Sequence, residues 1–183
     1  MYPLDRKWTL YFHAKNKEKS YDDNTVKIID IDSVEYFWRT YNNIPLPQDI
    51  FSNGYKDVEV KINGVKYSPN AYSFFQHGVI PTWDDKNNVN GAELSIRKFK
   101  GLCDIAEMWK IALVDLISEN FEYSNNIKGI RIVDSTLPSK PMYRIEYWFD
   151  DISYKDIIEQ YILQLFNINT KLLYREHKNI KEN

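Results

Sequence analysis

Segments that alternate apolar and polar residues, as β-strands do, outnumber segments with helical periodicity in this chain of 183 residues. The strand-like segments are predicted at 8–12, 25–29, 130–135, 143–149 and 171–175. They do not strictly alternate with the helical segments. This order predicts an α+β fold with a largely antiparallel sheet and its helices gathered on one face.

Three segments have the periodicity of amphipathic helices. The first begins with the capping-box pattern of Asp32-Ser-Val-Glu35. Its apolar residues are Val34, Phe37, Trp38 and Tyr41. The second begins at residues 104–107 and keeps an apolar face as far as Ile117, which makes it the clearest helix of the chain. The third is predicted at 153–166.

A β-hairpin is predicted as an insertion at about residues 53–69. Apolar and polar residues alternate over 58–62 up to Asn63-Gly64 and resume alternating afterwards, which is typical of a type I′ hairpin. No repeat, low-complexity stretch or linker divides the sequence. Residues 1–183 are therefore predicted to form a single domain that carries this small ribbon.

The composition indicates a soluble globular protein. Hydrophobic residues make up 43% and aromatic residues 15% of the chain, and no apolar run reaches the length of a membrane span. The amino terminus lacks a signal-peptide stretch. Cys103 is the single cysteine, so no intramolecular disulfide or cysteine-based zinc site is expected and a reducing compartment is indicated. A net charge of −2 argues against a general polyanion binder, so any nucleic-acid contact should be small and local.

Motifs for catalysis are not found in the sequence. His13, His77 and His177 lie in unrelated local contexts, without a nucleophile or a second ligand at a recognisable spacing. Asp84-Asp85 resembles an acid/base or metal pair only superficially, because adjacent residues of an extended segment point to opposite faces. No phosphate-binding glycine motif occurs. We therefore predict no catalytic residue, no metal and no cofactor.

The polar loop at 78–88 places Trp83 directly before Asp84. An indole face can stack on a flat base, and a neighbouring carboxylate can accept two parallel N–H bonds from the edge of that base. Together they suit a guanine. The alternative is a turn in which Trp83 covers the core and both aspartates are solvated, and the segment by itself favours that alternative.

Aromatic residues follow a distinctive order along the chain. The order begins with Tyr2-Pro-Leu-Asp-Arg-Lys-Trp8-Thr-Leu-Tyr-Phe12, Asp32-Ser-Val-Glu-Tyr-Phe-Trp38-Arg-Thr-Tyr-Asn42, Tyr72-Ser-Phe-Phe and Gly78-Val-Ile-Pro-Thr-Trp83-Asp84-Asp85. It continues through Trp109, Glu119, Phe121 and Trp148. This succession spans nearly the whole chain and resembles the messenger-RNA cap-binding translation initiation factor 4E family. The resemblance implies a strongly curved, mainly antiparallel sheet with the cap in its concave face and three helices across its convex face.

The resemblance also implies a set of cap-binding residues. The two rings that stack on the base fall at Tyr21 and Trp83, the carboxylate for the base edge at Asp84, and the indole against the cap's methyl group at Trp148. Because 7-methylguanine carries a positive charge, an electron-rich ring on each face gains cation–π as well as stacking energy. Asp84 is expected to accept from guanine N1 and N2, and the Trp83 backbone N–H to reach O6. Core packing is the alternative for each ring.

Tyr21 and Asp84 depart from the commonest family pattern. Tyr21 stands where a Trp is usual, which shrinks the stacking face. Asp84 stands where a Glu is usual, which shortens the reach to the base by one methylene. These two differences predict weaker cap binding or a shifted pose.

The phosphate-contacting positions are less basic than the family pattern. Arg144 matches a family Lys, whereas Ser135 and Glu93 occupy positions that are usually basic. Lys140, in the loop at 136–142, and Arg131, on the same strand face as Ser135, are further candidates. A solubilising surface role is an equal alternative for both.

A second surface is implied on the convex face. In the family, an initiation scaffold or a repressor docks a helical peptide with a Tyr-x4-Leu-apolar motif there. The corresponding residues here are Tyr2, Pro3, Val34, Trp38, Lys110, Val114 and Ser118. Val34 and Trp38 are i,i+4 neighbours and can form one apolar patch, although core packing is the alternative. Lys110 stands where a Leu is usual.

The sequence thus predicts a non-enzymatic, cytoplasmic and monomeric protein that binds the 7-methylguanosine triphosphate cap of mRNA and recruits it to translation through a scaffold protein. A cap-binding repressor paralogue is the alternative, and an enzyme acting on capped or nucleotide substrates is a distant third. No membrane contact is expected.

Overall fold

The computed structural model describes residues 1–15, 24–55, 58–62, 65–97, 99 and 101–178. Within these ranges the strands are β1 Pro3–Lys15, β2 Thr25–Ser33, β3 Val60–Ile62, β4 Val65–Gln76, β5 Ala92–Ile96, β6 Ile127–Asp134, β7 Tyr143–Phe149 and β8 Leu173–Glu176. Seven of them form one sheet in the order β2-β1-β4-β6-β7-β5-β8, and β3 pairs with β4 off this path. Every paired neighbour is antiparallel.

The helices are α1 Val34–Tyr41, α2 Pro47–Ile50, α3 Leu102–Ser118 and α4 Lys155–Leu165. Three of them correspond to the predicted helices, and α2 is an additional short one with Pro47 in its first turn. The N-cap of α1 is Ser33, whose hydroxyl accepts from the Tyr36 backbone N–H at 3.4 Å, so the helix begins one residue later than a cap at Asp32 would give.

The helices all pack on the same face of the sheet. Strand residues facing them alternate with residues facing away, as the two-residue period requires. The core that results is apolar and buried; its members from the strands include Trp8, Leu10, Phe74, Leu94, Ile130, Ile145 and Tyr147, and those from the helices include Phe37, Ile50, Ile105, Trp109, Leu116, Ile158 and Ile162. Trp8 and Phe74 stack at 5.2 Å between ring centroids.

The opposite face of the sheet carries a separate and much smaller apolar cluster. It consists of Phe75, Val79 and Trp148, with Tyr11 packed against it. Register shifts in the pairing of β1 with β2 and β4, and of β6 with β7, add local twist to a sheet that is strongly curved. The predicted α+β class, with a curved antiparallel sheet and helices on one face, is confirmed.

Strand β5 was absent from the sequence prediction, and that omission was wrong. Its five residues are all buried, including the polar Glu93 and Ser95, so it has no solvent-facing side to give a clear alternation. Gly91 precedes it, and a Cβ at that position would lie 1.8 Å from the Phe149 carbonyl oxygen. Only glycine allows this close approach of two backbones.

The predicted ribbon is paired in the structure. Val60 lies opposite Tyr67 and Ile62 opposite Val65. The predicted turn at Asn63-Gly64 lies outside the described residues. The second strand of the ribbon continues as β4 through Pro69 into the main sheet, and its origin as an insertion stays a prediction.

Among the described residues, no helix is long and apolar enough to cross a membrane. Cys103 is exposed and carries a free thiol.

Candidate functional site

The face of the sheet turned away from the helices carries a lattice of charged and aromatic side chains. On β7, Arg144, Glu146 and Trp148 point to this face because they alternate with the buried core residues of the strand. Trp148 lies between Gly129 of β6 and Glu93 of β5 in the strand pairing. Directly opposed residues of antiparallel strands share a face, so these neighbours surround one site.

Trp148 forms the floor of this site. Its side chain is only 1% exposed, and it packs edge-on against Phe75 at 5.3 Å and against His177 at 4.6 Å between ring centroids. Its indole N–H donates to Glu146 Oε2 at 3.1 Å. A Cβ at Gly129 would come within 2.4 Å of the Phe75 ring, so the missing side chain there makes room for the floor. Trp148 is therefore held in a fixed orientation.

Trp83 stands above this floor in the loop between β4 and β5. It is 36% exposed, and its indole is close enough to the Glu93 carboxyl to oppose, as the smallest effect, the rise in the pKa of that group. The exposed part of the ring is available to a flat ligand.

The two neighbouring aspartates of this loop have different roles. Asp85 accepts the backbone N–H of Ile80 at 3.0 Å and that of Asn87 at 2.8 Å, which fixes the loop. Asn88 adds bonds from its side chain to the Ile80 and Thr82 carbonyl groups, both at 2.9 Å. Asp84 is exposed and has no hydrogen-bond partner among the described residues. Its carboxylate is the one that a ligand beside Trp83 can reach.

Glu93 and Glu146 bring two carboxylates to the same buried part of the site. Burial, and after it the negative charge of Glu146, raises the pKa of Glu93 to about 7. For Glu146, burial opposes ionisation, but the charges of Arg131 and Arg144 outweigh it and lower the pKa of that carboxyl. The pair therefore shares its charge unequally: Glu146 ionises first, and Glu93 keeps its proton until the pH rises to about 7.

Cations surround this acidic pair. Arg131 lies opposite Glu146 on β6 and is buried, and the Nε of Arg144 donates to Glu146. Arg175 Nη1 of β8 is 3.9 Å from Glu93 Oε1. Arg131 and Arg144 thus both lie beside the Glu146 carboxylate on this face, and their role in cap binding stays a prediction. Lys140 is exposed in the turn at 137–140, beyond this lattice.

The histidines are built into the structure as polar residues. His13 is buried with Nε2 2.7 Å from Ser73 Oγ, and burial followed by the charge of Arg131 lowers its pKa to about 3. His177 Nδ1 donates to the Asn88 carbonyl at 2.7 Å, and burial lowers its pKa. No group of three or more His, Cys, Asp or Glu side chains able to hold a metal occurs in the described part of the chain.

Tyr21, the predicted second stacking ring, lies outside the described residues. Sequence reasoning gave no role to Glu146, Arg97 or Arg175. The register of β5 with β7 and β8 brings Glu146 and Arg175 to the site, and Arg97 follows directly after β5. That register is not visible in a single strand.

The predicted partner-binding residues lie on the opposite side of the sheet. The Val34 N–H donates to the Tyr2 carbonyl at 2.9 Å, and Pro3 pairs with Ser33, which joins the start of β1 to the start of α1. Tyr2 is 75% exposed. Trp38 is 36% exposed and packs edge-on against Phe37.

On α3, Lys110, Val114 and Ser118 follow one another at four-residue intervals and therefore share a helix face. Lys110 and Val114 are half-buried, and Ser118 is exposed. Val114 packs against the main core, as Phe37 of α1 does. Both helices thus present these residues on the side away from Trp148, and their use as one docking surface stays a prediction.

The chain is an α+β protein with a curved antiparallel sheet, helices on one face and an aromatic–carboxylate loop over the other. Residues 3–183 match the model of the family described as Eukaryotic initiation factor 4E. The chain belongs to the eukaryotic initiation factor 4E family.

Relatives of known sequence include Eukaryotic translation initiation factor 4E-1B of Danio rerio, 32% identical over 131 residues that cover 70% of this chain and 54% of the relative. Eukaryotic translation initiation factor 4E of Homo sapiens is 30% identical over 131 residues that cover 70% of this chain and 53% of the relative. The chain spans about half the length of these curated relatives. These relatives are named as initiation factors rather than as enzymes.

Solved structures with the same fold include a complex of C. elegans eIF4E-3 with the 4E-binding protein Mextli and cap analog. Its TM-score is 0.77 at 24% identity, covering 100% of this chain and 96% of that chain. Ascaris suum eIF4E-3 with m7G cap has a TM-score of 0.76 at 24% identity, covering 96% of this chain and 91% of that chain. At this level of identity the likeness establishes the fold.

Proposed function

We propose that this chain binds the 7-methylguanosine cap of messenger RNA in the concave face of its sheet and recruits the capped RNA to translation. The single observation that carries the proposal is the loop in which Trp83 offers a ring face and Asp84 a free carboxylate. The folds of cap-bound relatives and the family match support the same conclusion.

The base is recognised by stacking and by paired hydrogen bonds. Methylation at N7 gives guanine a positive charge, and the electron-rich face of Trp83 attracts it. Tyr21 is proposed as the ring on the other side of the base. Asp84 accepts from N1 and N2, and bonds to a carboxylate acceptor are charge-assisted. Trp148 forms the apolar floor below the methyl group.

The phosphates leave the base towards β7. Arg144 is proposed to contact them, with Arg131 and Lys140 as further candidates from the sequence. Arg131 is the weakest of the three, because it is buried beside Glu146. The Glu93 carboxyl lies opposite Trp148 in the strand pairing. Phosphate binding next to the base is therefore less favourable here than it would be beside a basic residue.

The helix side of the sheet is proposed to dock an initiation scaffold through a helical peptide with the Tyr-x4-Leu-apolar motif. The residues are those predicted from the sequence on β1, α1 and α3. The neighbour from C. elegans was solved with a 4E-binding protein, which is consistent with this role. The protein proposed here is a cytoplasmic, non-enzymatic adaptor that uses these two surfaces.

The proposal is tested by titrating tryptophan fluorescence with 7-methylguanosine triphosphate and with unmethylated guanosine triphosphate. We expect much tighter binding of the methylated nucleotide. Asp84→Asn should lose about 1–3 kcal/mol of binding free energy, because a neutral amide replaces a charged paired acceptor. The control is Asp156→Asn, which removes an exposed carboxylate on α4. Equal affinity for the two nucleotides would refute cap recognition.

A further inference from the structure

The Trp83 loop, residues 77–91 between β4 and β5, is held in shape by its own side chains. Asp85 accepts from the Ile80 backbone N–H at 3.0 Å. The Asn88 side chain donates to the carbonyl groups of Ile80 and Thr82, both at 2.9 Å. These bonds fix the shape of the loop, but they do not fix its position over the sheet.

His177 joins this loop to a distant part of the chain. It directly follows β8, and its backbone N–H donates to the Gly91 carbonyl at 3.1 Å. Its Nδ1 lies 2.7 Å from the carbonyl oxygen of Asn88, which is 89 residues earlier in the sequence. A carbonyl oxygen only accepts, so Nδ1 is protonated and donates this bond. Two hydrogen bonds from one residue therefore attach the Trp83 loop to the end of β8.

The bond from His177 is stronger than the bond that Tyr11 makes to the same loop. The Tyr11 hydroxyl donates to the Val79 carbonyl at 3.5 Å, which is at the limit of hydrogen-bond length. The His177 side chain is fully buried, so its shorter bond is also shielded from water. Of these two contacts, His177 therefore does more to hold the loop in place.

The same imidazole contacts the floor of the site. The ring centroids of His177 and Trp148 are 4.6 Å apart, with 46° between the ring planes. Burial lowers the pKa of His177, so the ring packs on the indole as a neutral imidazole. One side chain thus contacts both the Trp83 loop and the floor, and it determines the distance between them.

Packing alone does not account for a histidine at this position. Its Nε2 is buried without a hydrogen-bond partner among the described residues, and it lies 3.9 Å from Glu93 Oε2. An unpaired buried nitrogen costs free energy, which a phenylalanine of similar size would avoid. What a phenylalanine lacks is the donor to the Asn88 carbonyl. That bond is therefore the contribution that only the imidazole makes.

We propose that His177 is a positioning residue of the base-binding site, which holds the Trp83 loop at a fixed height above Trp148. The inference rests on the proposed cap-binding function. His177 acts through Asn88, whose side chain bonds to the residue immediately before Trp83. A site that is formed only part of the time binds with an affinity reduced by that fraction. A loop held in place therefore binds the base more tightly.

Two substitutions separate the bond to the loop from the contact with the floor. His177→Phe keeps a ring against Trp148 but removes the donor. His177→Asn removes the ring but keeps an N–H donor at the same number of bonds from Cα as Nδ1. A purely structural residue is replaced better by Phe, whereas a positioning residue is replaced better by Asn.

The test measures the binding of 7-methylguanosine and of 7-methylguanosine triphosphate by calorimetry, and the unfolding temperature of each ligand-free protein. We expect His177→Phe to weaken both ligands by the same factor, about three- to tenfold, because one hydrogen bond of the loop is lost. His177→Asn should bind both ligands more tightly than His177→Phe. It should nevertheless unfold at a lower temperature, because it leaves a cavity beside Trp148.

A double-mutant cycle tests the path through Asn88. Asn88→Ala removes the bonds to the Ile80 and Thr82 carbonyl groups and should weaken cap binding by itself. Adding His177→Phe should then cause little further loss, because the effects of residues in one network are not additive. Fully additive losses would show that His177 does not act through Asn88 and would overturn the proposal.

Ile158→Val is the matched control for stability, because Ile158 is fully buried in the core on the helix side. It should lower the unfolding temperature by about 2–4 °C without changing cap affinity. Wild-type affinity in His177→Phe would overturn the positioning role. Affinities that simply follow the unfolding temperatures across all variants would overturn it as well.

Failure of the proposed function gives a different result. In that case the wild-type protein itself does not bind 7-methylguanosine. The indole N–H signal of Trp83 in the ligand-free protein then reports on the position of the loop. A shift or broadening in His177→Phe that is absent from His177→Asn would support the positioning role, and identical signals in all three proteins would overturn it.

Discussion

The two faces of the sheet are made by the same strands but bury side chains of opposite character. Towards the helices, the strands bury interlocked apolar side chains such as Trp8, Phe74 and Ile130. On the other face they bury charges, with Glu93 and Glu146 side by side. Burying an apolar side chain contributes roughly 1.5–3 kcal/mol, whereas burying a charge costs free energy unless it is well paired.

The charged face is also incompletely satisfied. The Ser95 hydroxyl and the His177 Nε2 are buried without a hydrogen-bond partner within the described residues. Groups of this kind lower stability wherever they occur, and the Trp8 indole N–H and the Tyr147 hydroxyl are two more on the helix side. The difference between the faces therefore lies in the buried charges, which the apolar helix side lacks and which the proposed binding site uses.

The largest effect is expected from truncating the apolar face. Phe74→Ala should lower the free energy of unfolding by about 3–5 kcal/mol, because Phe74 is fully buried and stacks on Trp8. Urea denaturation measures this loss. Asp84→Asn, on the other face, should leave stability within about 0.5 kcal/mol of the wild type. A loss below 1 kcal/mol for Phe74→Ala would break the proposed division between the faces.

The second-largest effect is expected for peptide binding to the exposed surface of the helices. Trp38→Ala should reduce the binding of a peptide with the Tyr-x4-Leu-apolar motif by about 2 kcal/mol or more, because an exposed aromatic anchor is removed. Fluorescence anisotropy of a labelled peptide measures it. Affinity for the cap should be unchanged, since Trp38 and Trp148 lie on opposite sides of the sheet.

Tyr55→Ala is the matched control, because Tyr55 is an aromatic residue that is 83% exposed. Unfolding of Trp38→Ala, or loss of cap binding with the peptide still bound, would identify Trp38 as a core residue. If the wild-type protein binds the cap but no scaffold-type peptide, the repressor alternative replaces the initiation factor.

The smallest effect is a dependence of cap affinity on pH. The pKa of Glu93 is raised to about 7, so the carboxyl is neutral below that pH and negative above it. Affinity for phosphate-bearing cap analogues should therefore fall as the pH rises through about 7. Glu93→Gln keeps an acceptor for the Trp83 indole but removes the charge. It should bind more tightly above pH 7, by on the order of 1 kcal/mol.

The same substitution gives an independent signature in stability. A carboxyl with a raised folded-state pKa keeps a proton that the unfolded chain releases, so the stability it contributes is lost as the pH rises towards the folded pKa. Glu93→Gln should thus be more stable than the wild type at pH 8. In the affinity measurement the ligand titrates equally with both proteins, so the difference between the wild-type and Glu93→Gln curves of affinity against pH isolates Glu93. If the wild-type and Glu93→Gln curves are parallel, for affinity and for stability, Glu93 does not titrate in this range.

The periodicity of apolar residues predicted those strands and helices that have one buried and one exposed side. Strand β7 begins and ends where alternation placed it, and α3 differs by two residues at its start from the predicted one. Strand β5 was missed because both of its faces are buried, which removes the contrast between polar and apolar positions.

From local patterns alone, the candidate site could be predicted only as far as its loop, whereas Trp148, Arg131 and Arg144 were predicted through the family resemblance. The pair Trp83 and Asp84 is contiguous in sequence, so its chemistry was visible. The pairing of Glu146 with Arg131 and that of Glu93 with Arg175 depend on which strands are neighbours. Strand order is a long-range property, and a single sequence without its fold does not reveal it.

The central claim is that the concave face, and not the helix side, receives the cap. The chain has five tryptophans, of which Trp83 and Trp148 lie on the concave side, while Trp8, Trp38 and Trp109 lie on the helix side. A ¹H–¹⁵N spectrum resolves each indole N–H, and Trp→Phe variants assign them. On addition of 7-methylguanosine triphosphate we predict large shifts for Trp83 and Trp148 and none for Trp38 or Trp109. Shifts confined to Trp38 and Trp109, with Trp83 and Trp148 unmoved, would contradict the account.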